Sequence, residues 1–211
     1  MNLFNYYWWY SKALSNETCD SIIELGNLKN NKSQLGVIGN TRKDVDKKPL
    51  SEKEKQDLFK RRNSNITWLD ENWLYELLQP FIYDANEKAN WNFKWDYTEE
   101  IQFTKYEINQ HYSWHCDSSP KPYNKPNTGY HNKIRKLSAI ISLSNPKDYL
   151  GGKVEFQFRN SIDSLKINEC KEISERGSIV VFPSFVWHRV TPITKGTRYS
   201  LVMWNLGYPF Q

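Results

Sequence analysis

Residues 177–204 have the sequence GSIVVFPSFVWHRVTPITKGTRYSLVMW, in which two apolar runs alternate with turns. A glycine and a proline bracket the first run, and its β-branched and aromatic residues predict a buried strand over 178–182. His188 follows in what we expect to be the loop beyond this strand. A Lys-Gly turn then leads into a second predicted strand over 197–204, which carries Arg198. The stretch indicates a β-rich fold with a polar site at its strand ends.

Upstream of this stretch, three more short runs have the period-two pattern of strands. They lie at 101–108, 137–144 and 153–158. Five strands at short spacing predict a β-sandwich or jelly roll. The expected fold class is therefore mainly β with some α, a double-stranded β-helix with N-terminal helices packed on one sheet.

The N-terminal part of the chain has a different pattern. Ser15 is a candidate N-cap for a helix over 16–27, and a second helix begins near Asp70 with Pro80 either kinking it or starting a new one. Residues 29–64 are polar and charged, which predicts a surface excursion with one hairpin around 34–45. We therefore expect a single domain over 1–211, with 1–95 as helical cover and loops and 96–211 as the β-helix core.

The overall composition excludes several classes of protein. The net charge of +5 is mild and the basic residues are scattered, so a nucleic-acid surface is not indicated. No run approaches the about 20 apolar residues of a membrane span. The three cysteines are widely spaced and suggest no disulfide framework, which predicts a cytoplasmic protein, in the host cytoplasm if the source is viral. The sequence gives no indication of the oligomeric state.

A His-x-Asp motif at His115 and Asp117 gives the strongest indication of chemistry. Residues two apart on a strand share one face, so both side chains can reach one metal ion. With His188 they form two imidazoles and one carboxylate, the set that occupies one face of octahedral Fe(II) and leaves three positions open. Arg198 is costly on a buried face unless it meets a carboxylate, and this suggests that it binds one.

In this order and with these neighbours, the motifs resemble a known family. The segments that carry the resemblance lie within residues 100–207, about half of the chain: YEINQHYSWHCD at 106–117, RKLSAIISL at 135–143, YLGGKVEF at 149–156, FP at 182–183, HRVTP at 188–192 and GTRYSLVMW at 196–204. They are similar to the 2-oxoglutarate- and Fe(II)-dependent dioxygenases of the double-stranded β-helix fold, and within these to the prolyl 4-hydroxylase-like branch.

The resemblance implies a role for each matching residue. Fe(II) would be held by His115, Asp117 and His188. Arg198 would pair with the C5 carboxylate of 2-oxoglutarate, assisted by Ser200. The co-substrate would also accept a hydrogen bond from Tyr106, and ascorbate is the expected reductant. The target proline would be held by Tyr112, Arg135 and Trp204.

The resemblance also implies the reaction, in which a prolyl residue of a peptide or protein is hydroxylated while 2-oxoglutarate becomes succinate and carbon dioxide. Asp117 favours hydroxylation over halogenation, because a halogenase needs that ligand position free for chloride. Ser142 departs from the family, since several prolyl hydroxylases have a tyrosine there that faces the co-substrate. The segment Arg61-Arg62-Asn-Ser64 is either part of a substrate-binding loop or a basic surface turn.

Three alternatives to a prolyl hydroxylase remain open. The same site could hydroxylate a small molecule or a free amino acid. A nucleic-acid demethylase of this fold typically has a second arginine six residues after the co-substrate arginine, where this chain has Trp204. A binding module that has lost its iron would not be expected to keep the whole ligand set. The polar segment 118–132, rich in Pro, Asn and Lys, is interpreted as a lid beside the site.

Overall fold

The computed structural model describes residues 5–29, 34–35, 51–160 and 164–210. The helices of this part are α1 (Asn16–Leu28), α2 (Glu52–Arg61), α3 (Asn72–Lys88) and a 3₁₀ turn at Lys171–Ile173. The strands are β1 (Trp8–Tyr10), β2 (Gln34–Leu35), β3 (Arg62–Asn63), β4 (Asn65–Leu69), β5 (Tyr97–Thr98), β6 (Ile101–Tyr106), β7 (His111–His115), β8 (Ile134–Ser142), β9 (Tyr149–Gly151), β10 (Val154–Asn160), β11 (Ser164–Glu169), β12 (Ile179–Pro183), β13 (Trp187–Val190), β14 (Ile193–Gly196) and β15 (Arg198–Gly207).

Antiparallel strands form two main sheets. The larger sheet has the order β1-β12-β8-β15-β6-β4-β2, with β5 added beside β15. The smaller sheet has the order β11-β10-β13-β7-β3, and β14 pairs with β9 separately. One core cluster joins side chains of both sheets, such as Phe156 of β10 and Phe182 of β12. The sheets therefore pack face to face, and the predicted jelly roll is confirmed.

Helices α1 and α3 cover the outer face of the larger sheet, as the sequence predicts. Their buried residues, Cys19, Ile22, Leu74, Leu78, Ile82 and Ala85, belong to the same core cluster as Phe103, Ile141 and Met203 of the sheet. Ser15 accepts a hydrogen bond from the backbone N–H of Thr18, which confirms it as the N-cap of α1. Pro80 lies inside α3, which continues as one helix. Among the described residues, no helix is long and apolar enough to cross a lipid bilayer.

The description of residues 1–95 as helical cover and loops is incomplete. Strand β1 pairs with β12 and β4 pairs with β6 in the larger sheet, while β3 pairs with β7 in the smaller one. Residues 52–61 form a helix with a capping box at Ser51 and Glu54, where the sequence suggests only a surface excursion. Of the expected hairpin at 34–45, only β2 lies within the described residues, and it pairs with β4.

The contact between Gly26 of α1 and Phe103 of β6 leads to a stability prediction. A Cβ on Gly26 would lie 2.5–2.6 Å from three ring atoms of Phe103, which is too close for a rigid core ring. Alanine favours a helix by about 1 kcal/mol over glycine, but overpacking costs about 1–3 kcal/mol. We therefore expect Gly26→Ala to lower the free energy of unfolding, measured by urea denaturation. Ser21→Ala, an exposed change in the same helix, should alter it by less than about 0.5 kcal/mol; a stabilised Gly26→Ala would contradict the packing.

Candidate active site

The end of β7 and the facing strand β13 bring His115, Asp117 and His188 together. Strand β7 ends at His115, Asp117 follows two residues later, and β13 carries His188 directly opposite His115 in the antiparallel register. His188 thus lies on a strand, not in the loop that the sequence suggested. One potential ligand atom from each residue lies within 4.8 Å of the others. The predicted triad is assembled at a separation that suits a single metal ion.

Hydrogen bonds orient both imidazoles toward the carboxylate. The Nδ1 atom of His115 donates to the carbonyl of Ser113 at 2.8 Å, and that of His188 donates to the carbonyl of Val186 at 3.0 Å. Each Nε2 then lies 3.6 Å from an oxygen of Asp117. Burial, helped by the neighbouring His188, lowers the pKa of His115 to about 3. A neutral ring with a fixed Nδ1–H presents the Nε2 lone pair that a metal needs.

The carboxylate of Asp117 is held in place from the larger sheet. Ser138 of β8 donates a hydrogen bond of 2.7 Å to Oδ2, and the backbone N–H of Asp117 donates to the carbonyl of Ser184 at 2.8 Å. Burial by itself raises the pKa of this carboxyl, but the two histidines and Arg135 outweigh it and lower the pKa to about 2. Asp117 is therefore ionised, which is the form that binds a cation.

The Ser138→Ala variant tests how much the hydrogen bond from Ser138 to Asp117 contributes to metal binding. Loss of a hydrogen bond that orients a metal ligand typically weakens metal binding by about 10- to 100-fold. We expect that loss for Mn(II) or Co(II), measured by calorimetric titration without co-substrate. Ser142→Ala on the same strand removes a hydroxyl that has no partner and should leave metal affinity within about 2-fold. Equal affinities in the two variants would show that Ser138 does not position Asp117.

Arg198, the first residue of β15, is a buried cation with no anion beside it in the described part of the chain. It is 2% exposed, and its Nη1 donates a hydrogen bond to the hydroxyl of Ser200 at 3.3 Å. Within the described residues, no carboxylate lies within 4.0 Å of the guanidinium. A buried charge of this kind is expensive unless a ligand neutralises it. The predicted carboxylate site at Arg198 and Ser200 is thus consistent with the structure.

Further groups surround Arg198 in a way that suits a small acidic ligand. Tyr106 lies opposite Arg198 in the pairing of β6 with β15, and its ring centroid is 5.7 Å from the guanidinium carbon. The buried hydroxyl of Ser142 has no hydrogen-bond partner among the residues described, and it lies opposite Ser200. A Cβ on Gly152 would come within 2.8 Å of Cδ of Arg198, so a glycine leaves room for this side chain. Two hydroxyls and a guanidinium match the tail of a dicarboxylate.

The three residues that were expected to bind proline also lie beside the group of candidate metal ligands. Two of them, Tyr112 and Arg135, differ from the expectation. The ring of Tyr112 is stacked on that of His115 at a centroid distance of 3.4 Å. Arg135 pairs with both oxygens of Glu99, at 2.8 and 2.6 Å, and packs 3.8 Å from the ring of Trp204. Tyr112 therefore does not have two open faces for a pyrrolidine. The charge of Arg135 is already neutralised.

The segment 118–132 folds on itself rather than extending into solvent. Tyr123 exchanges backbone hydrogen bonds with Lys133 and Asn132, and Lys125 packs against the rings of Tyr123 and Tyr130. Tyr130 also contacts Tyr97 of β5. These contacts attach the segment to the sheet near Arg135, and its role as a lid stays a prediction.

The sequence did not decide whether Arg62 belongs to a substrate-binding loop or to a basic surface turn. Arg61 is exposed at the end of α2, whereas Arg62 is 5% exposed, on β3 opposite Tyr112. The alternation of Arg62, Ser64, Ile66 and Trp68 was the available signal for a strand, but the polar residues around it predicted a surface turn. The basic surface turn is wrong for Arg62, which lies inside the fold.

A family model and known proteins each match about half of the chain. The model for the 2OG-Fe(II) oxygenase superfamily matches residues 101–205, about half of the chain. A PKHD-type hydroxylase of Pseudoalteromonas atlantica is 34% identical over 104 residues, which are 49% of this chain and 41% of that protein. The PKHD-type hydroxylase YbiX of Escherichia coli is 30% identical over 48% of this chain and 40% of its own. The chain spans less than half the length of these curated relatives.

Solved structures resemble almost the whole chain. A viral collagen prolyl hydroxylase of Paramecium bursaria Chlorella virus-1, solved with 2OG, has a TM-score of 0.62 and 16% identity, with 97% of each chain covered. A prolyl hydroxylase of Trichoplax adhaerens, solved with a peptide fragment of hypoxia inducible factor, has a TM-score of 0.66 and 17% identity over 96% of this chain and 84% of that one. At these identities the likeness concerns the fold.

Proposed function

The chain belongs to the 2OG-Fe(II) oxygenase superfamily, and on this premise we propose that it is a dioxygenase that hydroxylates a prolyl residue in a peptide or protein. The observation that carries the proposal is the grouping of His115, Asp117 and His188, which could hold a metal ion, together with a buried arginine, Arg198, that has no carboxylate partner among the described residues. The cluster would bind Fe(II) and the arginine would bind 2-oxoglutarate. The prolyl substrate is supported by the fold likeness to prolyl hydroxylases, one of them solved with a peptide.

Each residue of the site would have a defined part in the reaction. Fe(II), when bound to His115, Asp117 and His188, would supply oxidation of an unactivated C–H bond, with 2-oxoglutarate converted to succinate and carbon dioxide. Arg198 would fix the C5 carboxylate and Ser200 would accept a guanidinium hydrogen bond beside it. These contacts orient the co-substrate before oxygen is used.

The remaining residues would position the co-substrate and the peptide. Tyr106, whose pKa is raised by burial, stays protonated and can donate a hydrogen bond to 2-oxoglutarate. Trp204 would form one apolar wall of the proline pocket. The stacked ring of Tyr112 would offer its hydroxyl and edge, since burial raises its pKa to about 12 and keeps it a donor. Arg135, held by Glu99, would shape the pocket and donate its remaining N–H groups to a peptide carbonyl.

Succinate release tests the proposal directly. The protein is incubated with Fe(II), 2-oxoglutarate, ascorbate as the proposed reductant, and a panel of proline-containing peptides, and the products are followed by mass spectrometry. We expect peptide-stimulated succinate and a matching gain of one oxygen on proline. Peptide-independent succinate with no modified proline would keep the dioxygenase and contradict the prolyl substrate, as would turnover stimulated only by non-proline compounds.

A further inference from the structure

A row of side chains crosses the smaller sheet from β3 to the metal cluster. Arg62 of β3 lies opposite Tyr112 of β7, with its guanidinium carbon 4.5 Å from the centroid of the Tyr112 ring. The same ring is stacked on His115. Arg62 and a proposed metal ligand therefore contact the same aromatic side chain. A substrate larger than a few atoms would contact this row of side chains when its target carbon is at the metal.

The charge of Arg62 has no protein anion to neutralise it. Its Nε donates to the hydroxyl of Ser64 at 3.0 Å, while Nη2 is buried without a hydrogen-bond partner. Among the residues that the structure describes, no carboxylate lies within 4.0 Å of this guanidinium. Arg135, in the same site, has Glu99 as its partner. Burying an unpaired cation is costly, and a bound anion would offset that cost.

The two unpaired arginines belong to different sheets. Arg198 lies on β15 of the larger sheet, opposite Tyr106, and Arg62 lies on β3 of the smaller sheet, opposite Tyr112. The charges of both arginines act on Tyr106, so both reach the same site. The dicarboxylate co-substrate has one carboxylate for Arg198 and would use its other end at the metal. The second buried guanidinium would therefore take its anion from another molecule, and a substrate that brings its target carbon to the metal would lie beside it.

We infer that Arg62 binds a carboxylate of the substrate, so that the enzyme selects a negative charge close to the carbon that it hydroxylates. The inference rests on the proposed function and deepens it. A guanidinium and a carboxylate form two parallel hydrogen bonds, which fix orientation as well as charge. The carboxylate can be the free α-carboxylate of a terminal residue or the side chain of an adjacent acidic residue.

Matched peptide pairs distinguish these sources. The first pair is acetyl-Gly-Pro with a free carboxylate and its amide; the second is acetyl-Gly-Pro-Glu-Gly amide and its Gln counterpart. A third pair without proline, acetyl-Gly-Ala and its amide, separates this inference from the proposed function. Binding is measured by tryptophan fluorescence with the protein, Fe(II) and 2-oxoglutarate under nitrogen, where no turnover occurs.

We expect the acid member of at least one pair to bind about 10- to 100-fold more tightly than its neutral counterpart, as for a hydrogen bond between charged groups. A preference in the first pair identifies the α-carboxylate, and one in the second identifies the side chain. Arg62→Gln should abolish the preference and Arg62→Lys should retain part of it. Arg61→Gln, the exposed neighbour, should bind like the wild type.

Two outcomes would overturn the inference. Equal binding of acid and neutral members in every pair would show that no substrate carboxylate is recognised. An unchanged acid preference in Arg62→Gln, with the fold confirmed by circular dichroism, would place that recognition elsewhere. An acid preference that depends on Arg62, together with no hydroxylation of any proline peptide, would support the inference and contradict the prolyl substrate.

Discussion

The Asp117→Ala variant is expected to bind Mn(II) or Fe(II) at least about 100-fold more weakly than the wild type, since loss of a ligand should exceed the loss caused by removing a ligand's hydrogen-bond partner. Two neutral imidazoles would remain, and they lack the negative charge that favours a divalent cation. Calorimetric titration with the metal, under nitrogen for Fe(II), measures the effect. Succinate release should fall below detection in the same variant.

Stability measurements separate loss of the metal from loss of the fold. Asp117 accepts a hydrogen bond from Ser138 and its pKa is lowered in the fold, so its removal should lower the melting temperature in EDTA, and the shift caused by added metal is the measurement that reports metal binding. Metal should raise the melting temperature of the wild type and not that of Asp117→Ala. Asp148→Ala, which changes an exposed acid, serves as the control and should behave as the wild type. Undiminished metal affinity in Asp117→Ala would exclude the proposed triad.

Arg198→Met is expected to change stability and ligand binding in opposite directions. Replacement of a buried charged group by an apolar side chain of similar size can stabilise a protein by about 1–4 kcal/mol. Arg198 is nearly fully buried and lacks an anion, so the ligand-free variant should melt at a higher temperature than the wild type. The affinity for 2-oxoglutarate should instead fall by about 100- to 1000-fold, because charge-assisted hydrogen bonds to the carboxylate are lost.

Melting curves with and without 2-oxoglutarate and Mn(II) test both effects in one experiment. The wild type should gain stability from the co-substrate, whereas Arg198→Met should gain almost none. Arg61→Met removes an exposed arginine and should keep both the original melting temperature and the response to co-substrate. If Arg198→Met still responds fully to 2-oxoglutarate, the carboxylate pocket lies elsewhere.

The order of the ligands along the chain made most of the site predictable. His115, Asp117, His188 and Arg198 stand out because each has a residue type that is costly to bury and lies on a predicted strand or directly beyond one. The helices were predictable for a similar local reason, since Ser15 caps α1 and apolar residues recur at helical spacing in α3. Features that depend on a single short segment could therefore be predicted from the sequence.

Contacts between distant segments of the chain, such as strand pairs and ion pairs, could not be predicted in this way. The position of Arg62 depends on the register of β3 against β7, about fifty residues away, and nothing near Arg62 specifies that register. Likewise, His188 becomes a strand residue because β13 pairs with β10 and β7, although a proline and a serine precede the short segment. The engagement of Arg135 by Glu99 also joins two strands and cannot be deduced from either.

The pairing of β1 with β12 has a consequence for handling the protein. Strand β12 reads Ile-Val-Val-Phe-Pro and is buried throughout, and its outer backbone groups are bonded to Trp8–Tyr10. Without these three residues, a flat row of free amides and carbonyls on an apolar strand would be open to a second copy of the chain, which is how native sheets begin to aggregate. An affinity tag that disturbs Trp8–Tyr10 would thus promote self-association, whereas the same tag placed after Gln211 leaves this strand covered.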